Sequence, residues 1–239
     1  MLPGLDPAHD GLRVAQLSDL HVGPHTPVER LRDAIERANA FDPDLVVLTG
    51  DYLSRERSGV ELVREQLGGL CAPTVAVLGN HDHWVDARGA ARALAAHGYA
   101  VLRNQNTSLT LRGAPLTVVG IDDLMSGQAR VADALRGAPP GGSRLALAHG
   151  PKTAEQLQRA GERILCFSGH THGGQIRIPV LTVFMLRAVA HEPYDRGLFR
   201  LGGVQLYVNR GVGSSIMRLR IDSAPEVTLA TLRRAPDAA

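Results

Sequence analysis

Residues 45–51 read Leu-Val-Val-Leu-Thr-Gly-Asp. Four consecutive apolar residues followed at once by glycine and a carboxylate predict a strand buried on both faces that delivers an acid at its end. The arrangement recurs on either side. Leu12 to Leu17 ends at Ser18-Asp19-Leu20-His21, and Thr74 to Leu78 ends at Gly79-Asn80-His81-Asp82. Further on, Arg144 to Ala148 ends in His149, and Ile164 to Phe167 ends at Ser168-Gly169-His170-Thr171-His172.

The intervening segments carry helical signals. Pro27 to Asn39 places Val28, Leu31, Ile35 and Ala38 on one face, and Asp42-Pro43-Asp44 breaks it. Gly59–Leu70, Ala87–His97, Ala129–Leu135 and Ala154–Ala160 are also predicted helices. Ala100–Leu102 reads as a short strand, and Thr107–Arg112 with Leu116–Ile121 as a hairpin around Gly113. From Gly197 to Leu232 the chain reads as short strands with glycine turns, and Gly79–Asp82 as a turn. Strands alternating with helices imply an α/β protein. Sites in such folds form where loops leave the carboxyl ends of strands, so the five polar clusters can converge. No repeat or linker divides the chain, and residues 1–239 are expected to form one domain.

The composition, 44% hydrophobic and 21% charged, is that of an ordinary globular protein. A formal net charge of +2 gives no support for nucleic-acid binding. Nearly all the positive charge is arginine, with Lys152 the single lysine. Cys71 and Cys166 are expected as free, buried thiols. The amino terminus has neither the basic nor the apolar region of a signal peptide. The apolar stretch at 178–190 is interrupted by Pro179 and Arg187 and is too short to span a bilayer. The expectation is a cytoplasmic protein; residues 179–190 read as a buried helix or strand of the core or, alternatively, as a lid or a peripheral contact to the inner membrane.

Aspartate, asparagine and histidine are the oxygen and nitrogen donors that borderline divalent metals accept. An Asp-x-His or a Gly-Asp alone is common by chance. Five such clusters in sequence, each after an apolar strand, point to a dinuclear metal centre and so to a hydrolytic enzyme.

The order Asp19-x-His21, Gly50-Asp51, Gly79-Asn80-His81-Asp82, a lone His149 and Gly169-His170-x-His172 resembles the calcineurin-like metallophosphoesterases. Tyr194-x-x-Gly197 and Tyr207-Val-Asn-Arg-Gly-Val-Gly213 look like one bacterial branch, which includes membrane-associated phosphoesterases and a UDP-2,3-diacylglucosamine pyrophosphatase. The resemblance implies a four-layer α/β/β/α sandwich of two mixed sheets flanked by helices. It implies one metal held by Asp19, His21, Asp51 and His172 and a second by Asp51, Asn80, His149 and His170, with Asp51 bridging. Two such ions, about 3.5–4 Å apart, would acidify a bridging water to the hydroxide that attacks phosphorus in line. His81 is implied as the group that protonates the leaving oxygen, and Asp82 either orients it or holds the loop. Carboxylate with imidazole accepts Mn, Fe or Zn, and Mn is the first choice.

Ser54 stands where the protein phosphatases of this superfamily carry a second aspartate, which argues against a phosphoprotein substrate. Arg55 matches their following arginine and Arg210 suits phosphate geometry, so both are candidate substrate contacts. Asp122-Asp123 could bring a carboxylate near the site, and Trp84 and Tyr194 could line a pocket. The implied substrate is a small-molecule, nucleotide or lipid-linked phosphodiester or pyrophosphate, with no obligatory protein partner. The alternatives are a phosphomonoesterase and a non-catalytic metal-binding scaffold of the same fold.

Overall fold

Alternation along Leu45–Thr49 sorts the molecule into layers. In this computed structural model, which describes residues 1–2, 4–176, 178, 192–215 and 217–236, Leu45 and Val47 face one core while Val46 and Leu48 face another. In chain order the elements are β1 (Arg13–Leu17), α1 (Val28–Ala40), β2 (Leu45–Thr49), α2 (Gly59–Gln66), β3 (Thr74–Val77), α3 (Asn80–Val85) and α4 (Ala87–Ala95). There follow β4 (Ala100–Val101), β5 (Gln105–Leu111), β6 (Ala114–Ile121), α5 (Val131–Leu135), β7 (Ser143–Ala148), α6 (Thr153–Arg159) and β8 (Leu165–Ser168). The chain closes with β9 (Gly197–Leu201), β10 (Val204–Val208) and β11 (Thr228–Thr231).

Two mixed sheets result. The first has the order β11-β1-β2-β3-β4, in which β1 to β4 run parallel and β11 returns antiparallel to β1. The second has the order β5-β6-β7-β8-β10-β9, parallel from β6 through β10 with antiparallel strands at both edges. Between the sheets lie Val14, Leu45, Val47, Val75 and Val77 from the first, and Leu116, Val118, Leu145, Leu147 and Phe167 from the second. The opposite face of the first sheet packs Ala15, Leu17, Val46 and Leu48 against Leu31, Ala34, Ala38, Val63, Ala93 and Leu94 of the helices. The second sheet does the same with Val119, Ala146, Cys166 and Leu206 against Val131, Ala134, Ala154 and Leu157. This is the four-layer sandwich the resemblance implied. Each fully buried Leu or Val side chain in these layers contributes about 1.5–3 kcal/mol. The inter-sheet layer is therefore the dominant joint between the two halves.

Local details differ from the sequence expectation. Residues 80–85 form α3 rather than a simple turn, because the Asp82 carboxylate accepts the Gly79 N–H (2.9 Å) and closes the first turn. The C-terminal part is less strand-rich than expected. Between β10 and β11 the backbone leaves the ladder, with Val212 N–H donating to Ser18 O (3.0 Å) and Gly213 N–H to Asp19 O (2.8 Å). Cys71 is exposed, contrary to expectation, because it sits in the turn before β3. Cys166 is buried, and burial pushes its thiol up to about 12. Among the described residues no helix is long and apolar enough to cross a membrane. The proposed lid or membrane segment, 179–190, lies outside the described residues.

Candidate metal centre

Every candidate ligand leaves the carboxyl end of a strand in one of the two sheets. Asp19 and His21 follow β1, Asp51 follows β2, and Asn80 opens α3 after β3. From the other sheet, His149 follows β7, and His170 and His172 follow β8. The loops are tied before any ion is considered. Asp19 N–H donates to Gly50 O (2.9 Å), His21 N–H to Asp51 O (2.9 Å) and Gly169 N–H to His149 O (3.1 Å). His170 N–H reaches across to the Asp19 carboxylate at 3.1 Å, and His81 N–H to Asp51 Oδ1 at 2.9 Å.

The donors gather in two groups, Asp19–His21–His172 and Asp51–His149–His170, linked by a third, His21–Asp51–His81, with the ligand atoms of each lying within 4.8 Å of one another. In the first, His172 Nε2 is 3.3 Å from Asp19 Oδ1 and 3.1 Å from His21 Nε2. In the second, Asn80 Oδ1 is 3.1 Å from His149 Nε2 and 3.0 Å from His170 Nδ1. Asp51 Oδ2 lies between the groups, 3.2 Å from His149 Nε2 and 3.7 Å from His21 Nε2. Asp19, His21, Asp51, Asn80, His149 and His172 are all buried, and His170 nearly so.

At two of the imidazoles the tautomer fits metal binding. A carbonyl oxygen only accepts, so His21 Nδ1 carries the proton it shares with Leu53 O (3.1 Å), and His149 Nδ1 the one it shares with Thr49 O (2.7 Å). Both rings therefore turn an unprotonated Nε2 inward in their neutral form, the arrangement that backbone acceptors impose on metal-binding imidazoles. Burial pushes His21 down to about 3 and also lowers His170. At Asp51 burial acts to raise the carboxyl, but the charges of His149 and His21 outweigh it and hold the carboxyl low. His149 is the reciprocal case: burial lowers it, Asp51 overrides, and it rises. His172 is held differently. Arg220 Nη2 donates to its Nδ1 at 2.9 Å, and burial followed by this guanidinium pushes the ring down to about 3.

Backbone conformation at the site is unusual. Asp19, His21, Asp51, His170 and His172 have φ of 52°, 42°, 56°, 73° and 51°, the left-handed region that side chains other than glycine seldom enter. Neighbouring glycines give these residues room. A Cβ at Gly79 would strike Asp51 Oδ1, and one at Gly169 would strike Ser18 Oγ and Asp19 Oδ2.

The remaining candidates separate clearly. His81 shares its Nδ1 proton with Ser54 O at 2.8 Å and packs its ring edge-on to His21, with centroids 4.8 Å apart. Asp82 does not touch the His81 ring. Its carboxylate accepts four backbone N–H groups, from Asp51 (3.0 Å), Tyr52 (2.9 Å), Leu53 (2.9 Å) and Gly79 (2.9 Å), and so holds the loop. Arg55 is exposed. Arg210 is held in an ion pair with Glu226 (2.6 Å). Asp122 bonds His83 Nε2 (2.6 Å) and Arg103 Nε (3.0 Å), bracing α3 against the end of β6. Trp84 is exposed, with its ring 5.1 Å from that of His81, whereas Tyr194 bonds Glu155 (3.2 Å). The arginine that does reach the donors is Arg220, also bonded to the carbonyls of Arg210, Gly213 and Ser223. Nothing in the run Arg218-Leu-Arg-Ile marks it out in the sequence.

Two mixed sheets that bring carboxylate, amide and imidazole donors to one end define a metallophosphoesterase. Over residues 12–174 the chain matches the calcineurin-like phosphoesterases, and it belongs to that family. It is a metal-dependent phosphoric ester hydrolase. It is 35% identical to the phosphodiesterase YaeI of Escherichia coli, over 92% of this chain and 82% of that protein. It is 29% identical to the UDP-2,3-diacylglucosamine pyrophosphatase LpxG of Chlamydia trachomatis, over 92% of this chain and 83% of that protein. Among solved structures, GAP50, the anchor in the inner membrane complex of Plasmodium, shares the fold at 12% identity and a TM-score of 0.52, covering 91% of this chain and 78% of that one.

Proposed function

We propose that this chain hydrolyses a phosphodiester or pyrophosphate bond, with two divalent ions held by Asp19, His21, Asp51 and His172 and by Asp51, Asn80, His149 and His170. The observation that carries this reading is the position of Asp51 Oδ2 between the two donor groups, within 3.7 Å of a nitrogen in each. A carboxylate can serve two cations at once, whereas the neutral Asn80 and imidazoles complete each set without over-neutralising it. When bound, such a pair supplies an acidified water as nucleophile and neutralises charge on the phosphoryl oxygens. Mn²⁺ is the first choice for both ions.

The chain's own groups do the rest. His81, its Nδ1 proton fixed on Ser54 O, is left with Nε2 as the proton donor to the departing oxygen. Asp82 is a positioning residue: through four N–H groups it holds the backbone that presents Asp51 and His81. Relatives named as a phosphodiesterase and a pyrophosphatase favour those bonds over a phosphomonoester.

The test is Mn²⁺-dependent hydrolysis of bis-p-nitrophenyl phosphate alongside the bound-metal count. Wild type should bind two ions per chain and turn over. Asp51→Asn should lose activity by about a thousandfold or more and bind fewer ions. Faster cleavage of p-nitrophenyl phosphate than of the diester would replace this reading with a monoesterase. No turnover with Mn²⁺, Fe²⁺ or Zn²⁺ would favour a scaffold.

A further inference from the structure

Beside the donor groups lies a cavity of about 300 Å³ lined by Leu124, Met125, Gly150, Lys152, His170, Thr171 and Glu192. His170 forms part of one wall, so whatever fills the cavity lies next to the candidate metal centre. Glu192 is 92% buried, its relative exposure being 8%, and among the described residues its Oε1 has no hydrogen-bond partner. Lys152, the single lysine of the chain, shares the cavity and makes no ion pair with it among the described residues. The loop carrying Glu192 is fastened to the ligand loop by a hydrogen bond from Thr171 Oγ1 to Asp195 O. A buried carboxylate oxygen left without a partner costs about 1–3 kcal/mol or more. Its persistence beside a metal centre indicates a partner that arrives with the substrate.

The lining restricts that partner. A purely alkyl group would leave Glu192 Oε1 unsatisfied, while the half-buried Lys152 acts on Glu192 through its charge alone. An ammonium group would meet the like charge of Lys152. Hydroxyl groups fit both, because each can donate to a carboxylate and accept from an ammonium. Burial raises Glu192 to about 7, and a hydroxyl can pair with either its ionised or its protonated form. Leu124 and Met125 offer apolar surface to the C–H face of the same group.

We infer that the cavity beside His170 takes the hydroxylated alcohol moiety, glyceryl or glycosyl, of the phosphoester, with Glu192 and Lys152 as its polar partners. The inference rests on the phosphoesterase reading and adds the substrate class to it.

Binding can decide it without turnover. Dissociation constants are measured by calorimetry for methyl phosphate, glycerol 3-phosphate and glucose 1-phosphate with the Mn²⁺-loaded full chain. At least one hydroxylated phosphate should bind about tenfold or more tighter than methyl phosphate, as charge-assisted hydrogen bonds to hydroxyls require. Which of the two it is separates the glyceryl from the glycosyl source. Glu192→Ala should erase most of that preference, and Lys152→Met, a change at a half-buried position, should reduce it even if the first variant folds poorly. Equal affinities for all three phosphates, no binding of any, or a preference kept in both variants would overturn the inference. Turnover of bis-p-nitrophenyl phosphate, which has no hydroxyl to offer, judges the phosphoesterase reading separately.

Discussion

At the scale of the residue, Asp82 carries more structural weight than its neighbour His81. Replacing it with alanine would strand four backbone N–H groups in a buried turn, each costing about 1 kcal/mol or more. Asp82→Ala should destabilise the metal-free protein by about 3 kcal/mol or more in urea, and a loss under 1 kcal/mol would show that the turn holds itself. Glu192 gives a pH dependence. An unfolded glutamate titrates near 4.3 and the folded one near 7, so between those values the unfolded chain has released a proton that the native state still binds. Stability should therefore fall as pH rises through that window, by up to about 3 kcal/mol from this group, and level off above it. Urea unfolding of wild type and Glu192→Gln at pH 5 and 8 measures the slope, and equal slopes would refute it. That the seven candidate donors converge was legible, because their types and order after apolar strands already pointed to one end of the sheets. The carbonyls of Thr49, Leu53 and Ser54 that fix the rings were not, since a backbone oxygen has no sequence signature. The pairing of Arg210 with Glu226 was not legible either, because an arginine beside a motif reads the same in an ion pair as on a phosphate.

At the scale of the element, β2, β3 and β8 end where a glycine, Gly50, Gly79 or Gly169, lets the next loop press close. Gly169 allows the turn after β8 to lie against Ser18 and Asp19, although its own φ is unremarkable. Gly169→Ala should push Asp19 aside, weakening metal binding by about tenfold or more while the fold persists, because the clash falls on side-chain ends rather than on a core layer. Calorimetric Mn²⁺ titration beside a thermal melt checks this, and unchanged affinity would mean that the loops shift together. Strands β1 to β3, β7 and β8 could be read from apolar runs alone, since burial on both faces leaves no alternation to mistake. The segment between β10 and β11 could not. Its place is set by hydrogen bonds to Ser18 and Asp19, almost two hundred residues away in the chain, and local pattern carries no trace of such contacts.

At the scale of the whole molecule, the donors come from both sheets, so bound ions would fasten at the rim what the inter-sheet apolar layer fastens in the middle. Ligands that bind only the native state stabilise it by about 4 kcal/mol at a thousand times their dissociation constant. Removing Mn²⁺ with a chelator should lower the melting temperature by several degrees, and Asp51→Asn should shrink that difference. A melting temperature indifferent to chelation would mean that the native state holds no Mn²⁺ tightly. The sandwich itself follows from side-chain parity. Gln16 marks where parity stops being apolar: its Nε2 bonds Thr49 Oγ1 and Ser168 O, both at 2.9 Å, joining the sheets by polar contact beneath the donors. The five left-handed residues at Asp19, His21, Asp51, His170 and His172 have an energetic consequence. Each holds an aspartate or histidine where glycine would relieve about 1 kcal/mol of backbone strain. The ligand end of the sandwich therefore holds strain on the order of 5 kcal/mol that the apolar cores outweigh whether or not an ion is bound.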